Sequence, residues 1–233
     1  MRNLERHRFY LVLLLFFSIS CTKTAMDSPA SSLPKAQDIP LAGGVWKTAC
    51  LAAVSGQSIK MQIQFVSSGA TYTNTLDIYN DSSCNTSVVT MVHTGTYLIG
   101  SPKGTSDGQF KSTEVDYYSV SDIDFTNQSI NITPSSSGQV NYLNNQNFCG
   151  RNSWSLNTSV EVSGLTCLGS YLSDVGDVDY DIVEYYFSVK SNPLVANTAP
   201  GNLYFGLSEA GANGASASAR RKTFNGNIVY RKQ

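Results

Sequence analysis

The chain has 233 residues, enough for one domain or two small ones, with 14% charged residues and a formal net charge of -1. The charged share lies well below the usual figure of about 25%, which excludes a charge-rich disordered chain; the absence of any Lys/Arg run longer than the three residues Arg220 to Lys222 argues against a nucleic-acid-binding surface. The 13 Tyr, 10 Phe and 18 Gly, set among many Ser, Thr and Asn, favour strands and turns over helices.

Residues 1–8 carry Arg2, Arg6 and Arg8 against Glu5, and Phe9 to Phe17 is an unbroken apolar run. A membrane-spanning helix needs about 20 apolar residues, whereas a charged start, a short apolar core and a small-residue exit describe a secretory signal. The exit, Phe17-Ser18-Ile19-Ser20-Cys21, resembles a bacterial lipobox, with Ser18 where Leu is usual. That resemblance implies cleavage of residues 1–20 and acylation of Cys21, and therefore a membrane partner held through a lipid anchor. More than one acyl chain anchors stably, because each buried methylene contributes about 0.8 kcal/mol. Thr22 after the cysteine implies the outer membrane of a bacterial envelope. Residues 21–40, with three Pro and little apolar periodicity, read as a tether; a folded domain is expected over 41–233.

Five cysteines are an odd number for an exported chain, and acylation of Cys21 accounts for one. The other four, Cys50, Cys84, Cys149 and Cys167, are expected to form disulfides in an oxidising compartment. Of three connectivities, Cys50 with Cys84 and Cys149 with Cys167 is favoured because each closes a local unit. Zinc is disfavoured by the lack of any C-x-x-C pair.

From Ile59 to Phe65 apolar and polar residues alternate strictly, the mark of a strand with one wet face. Tyr72, Leu76 and Ile78 share a parity; so do Val89, Met91, Gly95, Tyr97 and Ile99, and then Val115, Tyr117, Ile123 and Phe125. Shorter strands are expected at 129–133, 139–143, 158–163, 181–190, 202–207 and 226–231. No window of twelve residues gives a capped 3.6-residue period, so no helix is expected, and 208–219, with Gly211 and Gly214, reads as a flexible loop. About ten short strands without covering helices imply an all-β fold, an antiparallel β-barrel or else a β-sandwich.

Gly44-Val45-Trp46, then Cys50, then Tyr79-Asn80-Asp81-Ser82-Ser83-Cys84, then Gly95-Thr96-Tyr97 form an ordered set. The G-x-W resembles the lipocalin and wider calycin signature. The whole set resembles the calycin-like domain of the secreted adenomatosis-polyposis-coli-down-regulated proteins. The resemblance covers residues 43–100 and implies a lipocalin-like barrel whose closing residues are Gly44 and Trp46, and a hydrophobic, acyl-type ligand. In lipocalins an Arg packs on this Trp; Arg220, Arg221 and Arg231 are the candidates here.

Residues expected to face such a ligand are Met61, Phe65, Met91 and Tyr97, from an inward set that also includes Ile59, Ile63, Leu76, Ile78 and Val89. Catalytic signals are absent. Once the signal is removed His93 is the one histidine; it sits in an alternating strand, no G-x-S-x-G is present, and no cofactor motif is found. The stretch Asp174, Asp177, Asp179, Asp181, Glu184 suits a solvated strand face or a calcium ion, but Ile182 and Ser188 break the EF-hand pattern. The expected function is therefore ligand binding rather than catalysis. The alternatives are an adhesion or assembly module that meets a protein or glycan through loops such as 141–157, and an enzyme or inhibitor. A polar pocket converging on His93 or on the 174–184 carboxylates would mark the latter.

Overall fold

The computed structural model describes residues 41, 43–53, 56–101, 115–189 and 201–233, with 115–119 and 187–189 as backbone only. The signal, Cys21 and the tether lie outside these residues. Twelve strands are described: β1 (Val45–Lys47), β2 (Leu51–Ala52), β3 (Ser58–Val66), β4 (Thr71–Tyr79), β5 (Ser87–Ile99), β6 (Val115–Pro134), β7 (Val160–Glu161), β8 (Thr166–Cys167), β9 (Ser170–Tyr171), β10 (Val178–Val189), β11 (Asn202–Phe205) and β12 (Tyr230–Lys232). One α-helix, α1 (Ser137–Asn145), follows β6. No helix among the described residues is long and apolar enough to cross a membrane.

The strands run in the order β1-β12-β11-β10-β6-β5-β4-β3, and β3 pairs with β1 again. An eight-stranded antiparallel sheet is thereby closed into a barrel, the lipocalin-like alternative among the expected folds. Closure leaves one inner face, and the alternation determines which residues occupy it. Met61, Ile63 and Phe65 on β3 sit opposite Leu76, Asn74 and Tyr72 on β4; those in turn meet Met91, His93 and Gly95 on β5. Phe65 packs edge-on against Tyr97 at 5.0 Å and stacks on Phe125 at 6.4 Å, and Phe125 meets Tyr72 at 4.8 Å. Such ring pairs add roughly 0.5–1.5 kcal/mol each beyond their burial.

The motif residues carry the geometry of this barrel. Trp46 is fully buried, edge-to-face with Tyr185 at 5.9 Å, and a side chain on Gly44 would collide with its indole ring. The cation over the Trp46 ring is Lys232, 5.8 Å from the centroid and its register partner across β1 and β12, rather than any of the three expected arginines. A Cβ on Gly95 would run into the Thr126 carbonyl, at the point where the β5–β6 register shifts. Asp81 gathers the N–H groups of Ser83, Asn85 and Thr86 and so shapes the turn that presents Cys84.

Both disulfides form as expected, Cys50–Cys84 and Cys149–Cys167. The stretch 139–143 is helical, which corrects the expected strand. Ser136 accepts the Gln139 N–H as an N-cap, and α1, nine residues long with Leu143 as its buried residue, is too short to show a period over twelve. Of 226–231, the last two residues enter β12; Asn225 turns the chain before them, its side chain accepting from the Asn227 N–H.

Two excursions cover the places where barrel pairing gives way. β6 pairs with β10 up to Thr126. Beyond that point β7 and the Val162 N–H, bonded to the Ile130 carbonyl, take over its edge. β11 meets β10 over Val183–Tyr186; below it the edge of β10 is bonded by the β11–β12 connection, with Tyr180 N–H to the Gly214 carbonyl. Exposed pairing edges are a template for aggregation, and both excursions remove one.

Candidate functional site

The β11–β12 connection, 206–229, is held at both ends of its path. Leu207 N–H donates to the Thr223 carbonyl and Asn225 N–H to that of Phe205. Where it passes β10, consecutive arginines take opposite faces of the sheet. Outside, the Arg220 guanidinium lies 2.6 Å from Asp124 and 3.5 Å from Asp122, over the Tyr180 ring. Inside, Nη1 of Arg221 is 2.9 Å from Asp179 and 3.0 Å from Asp181. The close approach depends on two glycines: a Cβ at Gly206 would strike Asp181, and one at Gly214 would strike Asp179.

The expected flexible loop at 208–219 therefore has a defined course, and the acidic stretch divides. Asp174 and Asp177 build the turn before β10, with Asp177 accepting from the Asp174 N–H and Asp174 from that of Val175. Asp179 and Asp181 face the barrel interior. Among the described residues no group of three or more His, Cys, Asp or Glu is arranged to hold a metal ion.

Inside lies a cavity of about 280 Å³. Met61, Ile63, Phe125, Phe205, Leu207, Ile228 and Tyr230 form most of its wall. Asn74, His93, Asp179, Asp181 and Arg221 make it polar on one side. Of the expected ligand-facing residues Met61 lines this cavity; Phe65, Met91 and Tyr97 do not, and Phe65 is consumed by ring packing at the Trp46 end.

Burial governs the electrostatics. Asp181 is 6% exposed, and desolvation lifts its pKa to about 7. Arg221 opposes the shift, Asp179 adds to it, and the N–H groups of Ile182 and Gly206, both donating to Oδ1, again oppose it. His93 is pushed below its ordinary value by desolvation, with Asn127 and Asp179 pulling the other way. Its Nε2 is 2.8 Å from the Tyr72 hydroxyl, whose own pKa is raised by burial and by Asp179. A phenol held protonated thus meets an imidazole held neutral in one hydrogen bond. The Tyr230 hydroxyl donates to the sulfur of Met61 at 3.4 Å.

The sequence singled out His93 and the acidic residues without bringing them together. In the sequence Arg221 is a candidate partner for Trp46 alone, and Asn74 carries no signal. The shared parity of Asp179 and Asp181 was the available signal, because two carboxylates on an inward parity require a cation nearby. No known protein family matches the chain, and no curated protein is similar to it in sequence.

Proposed function

We propose that this chain is an exported bacterial lipoprotein, held at the outer membrane by acyl chains on Cys21, whose barrel binds a small ligand with an apolar body. The observation that supports binding is the cavity itself: a closed barrel filled at its Trp46 end retains about 280 Å³ of space against an apolar wall. Ligand pockets run from roughly 300 to 1,000 Å³, so the occupant is of modest size, a short acyl or alkyl segment rather than a long chain. The order of motifs shared with calycin-like extracellular domains supports the same class of ligand.

The polar side of the cavity matches the sign expected of an enzyme or inhibitor, but Arg221 is paired with two carboxylates and Tyr72 with His93. We therefore read it as a recognition surface rather than a catalytic one. The loop 141–157, the expected adhesive surface, is turned on itself: the Asn144 side chain holds both the N–H and the carbonyl of Trp154.

Native mass spectrometry of the full-length chain, purified in mild detergent from the cells that make it, tests the proposal. The expected spectrum carries the mass of acyl groups that disappears in Cys21→Ser, together with a dissociable small-molecule adduct that remains in that variant. A chain with neither would contradict it.

A further inference from the structure

The polar side of the cavity has more carboxylates than cations and carries acceptors without a donor. Two carboxylates, Asp179 and Asp181, share one nitrogen of one guanidinium. His93, the other titratable base facing them, is held toward its neutral form by burial, and the phenols Tyr72 and Tyr230 are held protonated. With both acids ionised, one negative charge has no counterpart inside the barrel.

The hydrogen bonds tell the same story. Several polar groups facing the cavity are paired with one another or with the wall: the Tyr72 hydroxyl with His93, that of Tyr230 with Met61, and the Arg221 guanidinium with the two acids and the Asn213 carbonyl. Acceptors are left over. Oδ1 of Asn74 is buried with no partner, and among the described residues no group donates to Oδ1 of Asp179. A ligand that supplies N–H groups gives these acceptors partners.

Resting on the binding reading above, we propose that the cavity recognises an organic cation, a primary ammonium group on a small apolar body, whose N–H groups are donated to Asp179 and Asn74. A carboxylate of the same shape would place a third anion beside two and would offer no donor. The small volume and inward position of the site select a free amine rather than the head group of a membrane lipid.

The test is calorimetric titration of the full-length chain with hexylamine, hexanol and hexanoate at about pH 8, where Asp181, with its pKa of about 7, is ionised. The expected order is amine, alcohol, carboxylate, with the amine at least about tenfold tighter than the alcohol. Asp179→Asn and, separately, Asn74→Leu are expected to reduce the ratio of amine to alcohol affinity. If the alcohol or the carboxylate binds as tightly as the amine, the cation proposal is overturned and the binding reading stands. If none of the three binds, both fall. The order measured on the unsubstituted chain decides even if a variant fails to fold.

Discussion

Asp181 is the residue on which the interior electrostatics turn. Its folded pKa of about 7 stands above the ordinary 3.8 because burial penalises the charged form more than Arg221 and two backbone N–H groups reward it. A raised carboxyl pKa stabilises the native state while the group is protonated. The contribution is fully present below about pH 4 and is lost as the pH rises through about 7. Asp181→Asn holds the side chain neutral throughout, so the stability of the unsubstituted protein relative to this variant should decline across that window. His93 has the opposite sign: its depressed pKa gives a contribution present above its ordinary 6.5 and lost as the pH falls. It is common to both proteins and cancels in the comparison. Urea denaturation at a series of pH values measures the difference; a constant difference from about pH 4 to about pH 8 would show that Asp181 titrates as if exposed.

At the scale of elements, strand parity was readable because the apolar residues of β3 and β4 bury on one face, and a slip of one residue would expose Met61, Ile63 and Phe65 together. The excursions were harder to read. α1 buries Leu143 on a single turn's worth of contact, and its stability comes from packing and from Ser136 rather than from an amphipathic period. The site was illegible for a different reason: Asp179 and Asp181 gain a cation only when Arg221, forty residues later in the chain, is laid across them by the β11–β12 connection. Sequence spacing carries no information about that meeting. The helical excursion is fastened by Cys149–Cys167, buried with Phe148 and Trp154. Replacing both cysteines by Ala should cost about 3 kcal/mol on the loop-closure argument. Because the barrel closes without this segment, amide exchange should accelerate in 137–172 and remain slow in β3, β4 and β5. Uniform acceleration would instead make the excursion part of the barrel's own folding unit.

The whole molecule divides its interior into two parts. At one end Trp46, Phe65, Tyr185 and Leu203, each buried, fill the barrel. On the other side the β11–β12 connection closes the wall with Leu207 and Ile228 but leaves the space lined by Met61, Ile63 and Phe205. The closed architecture follows from alternation plus the pairing of β1 with both β3 and β12, and the motif residues Gly44, Trp46, Asp81, Cys84 and Gly95 secure its shape without touching the polar side. The motif residues and the polar lining of the cavity are therefore different residues of this chain.

In the proposed function this space accepts a ligand. NMR shift mapping on the full-length chain titrated with hexanol reads that binding residue by residue. Saturable shifts are expected on Met61, Ile63, Phe205, Leu207 and Ile228, and their loss in Ile228→Trp, whose larger ring occupies the cavity while the circular dichroism of the fold is retained. Shifts that fail to saturate, or that fall on outward residues such as Leu98 and Val175 and persist in Ile228→Trp, would contradict it.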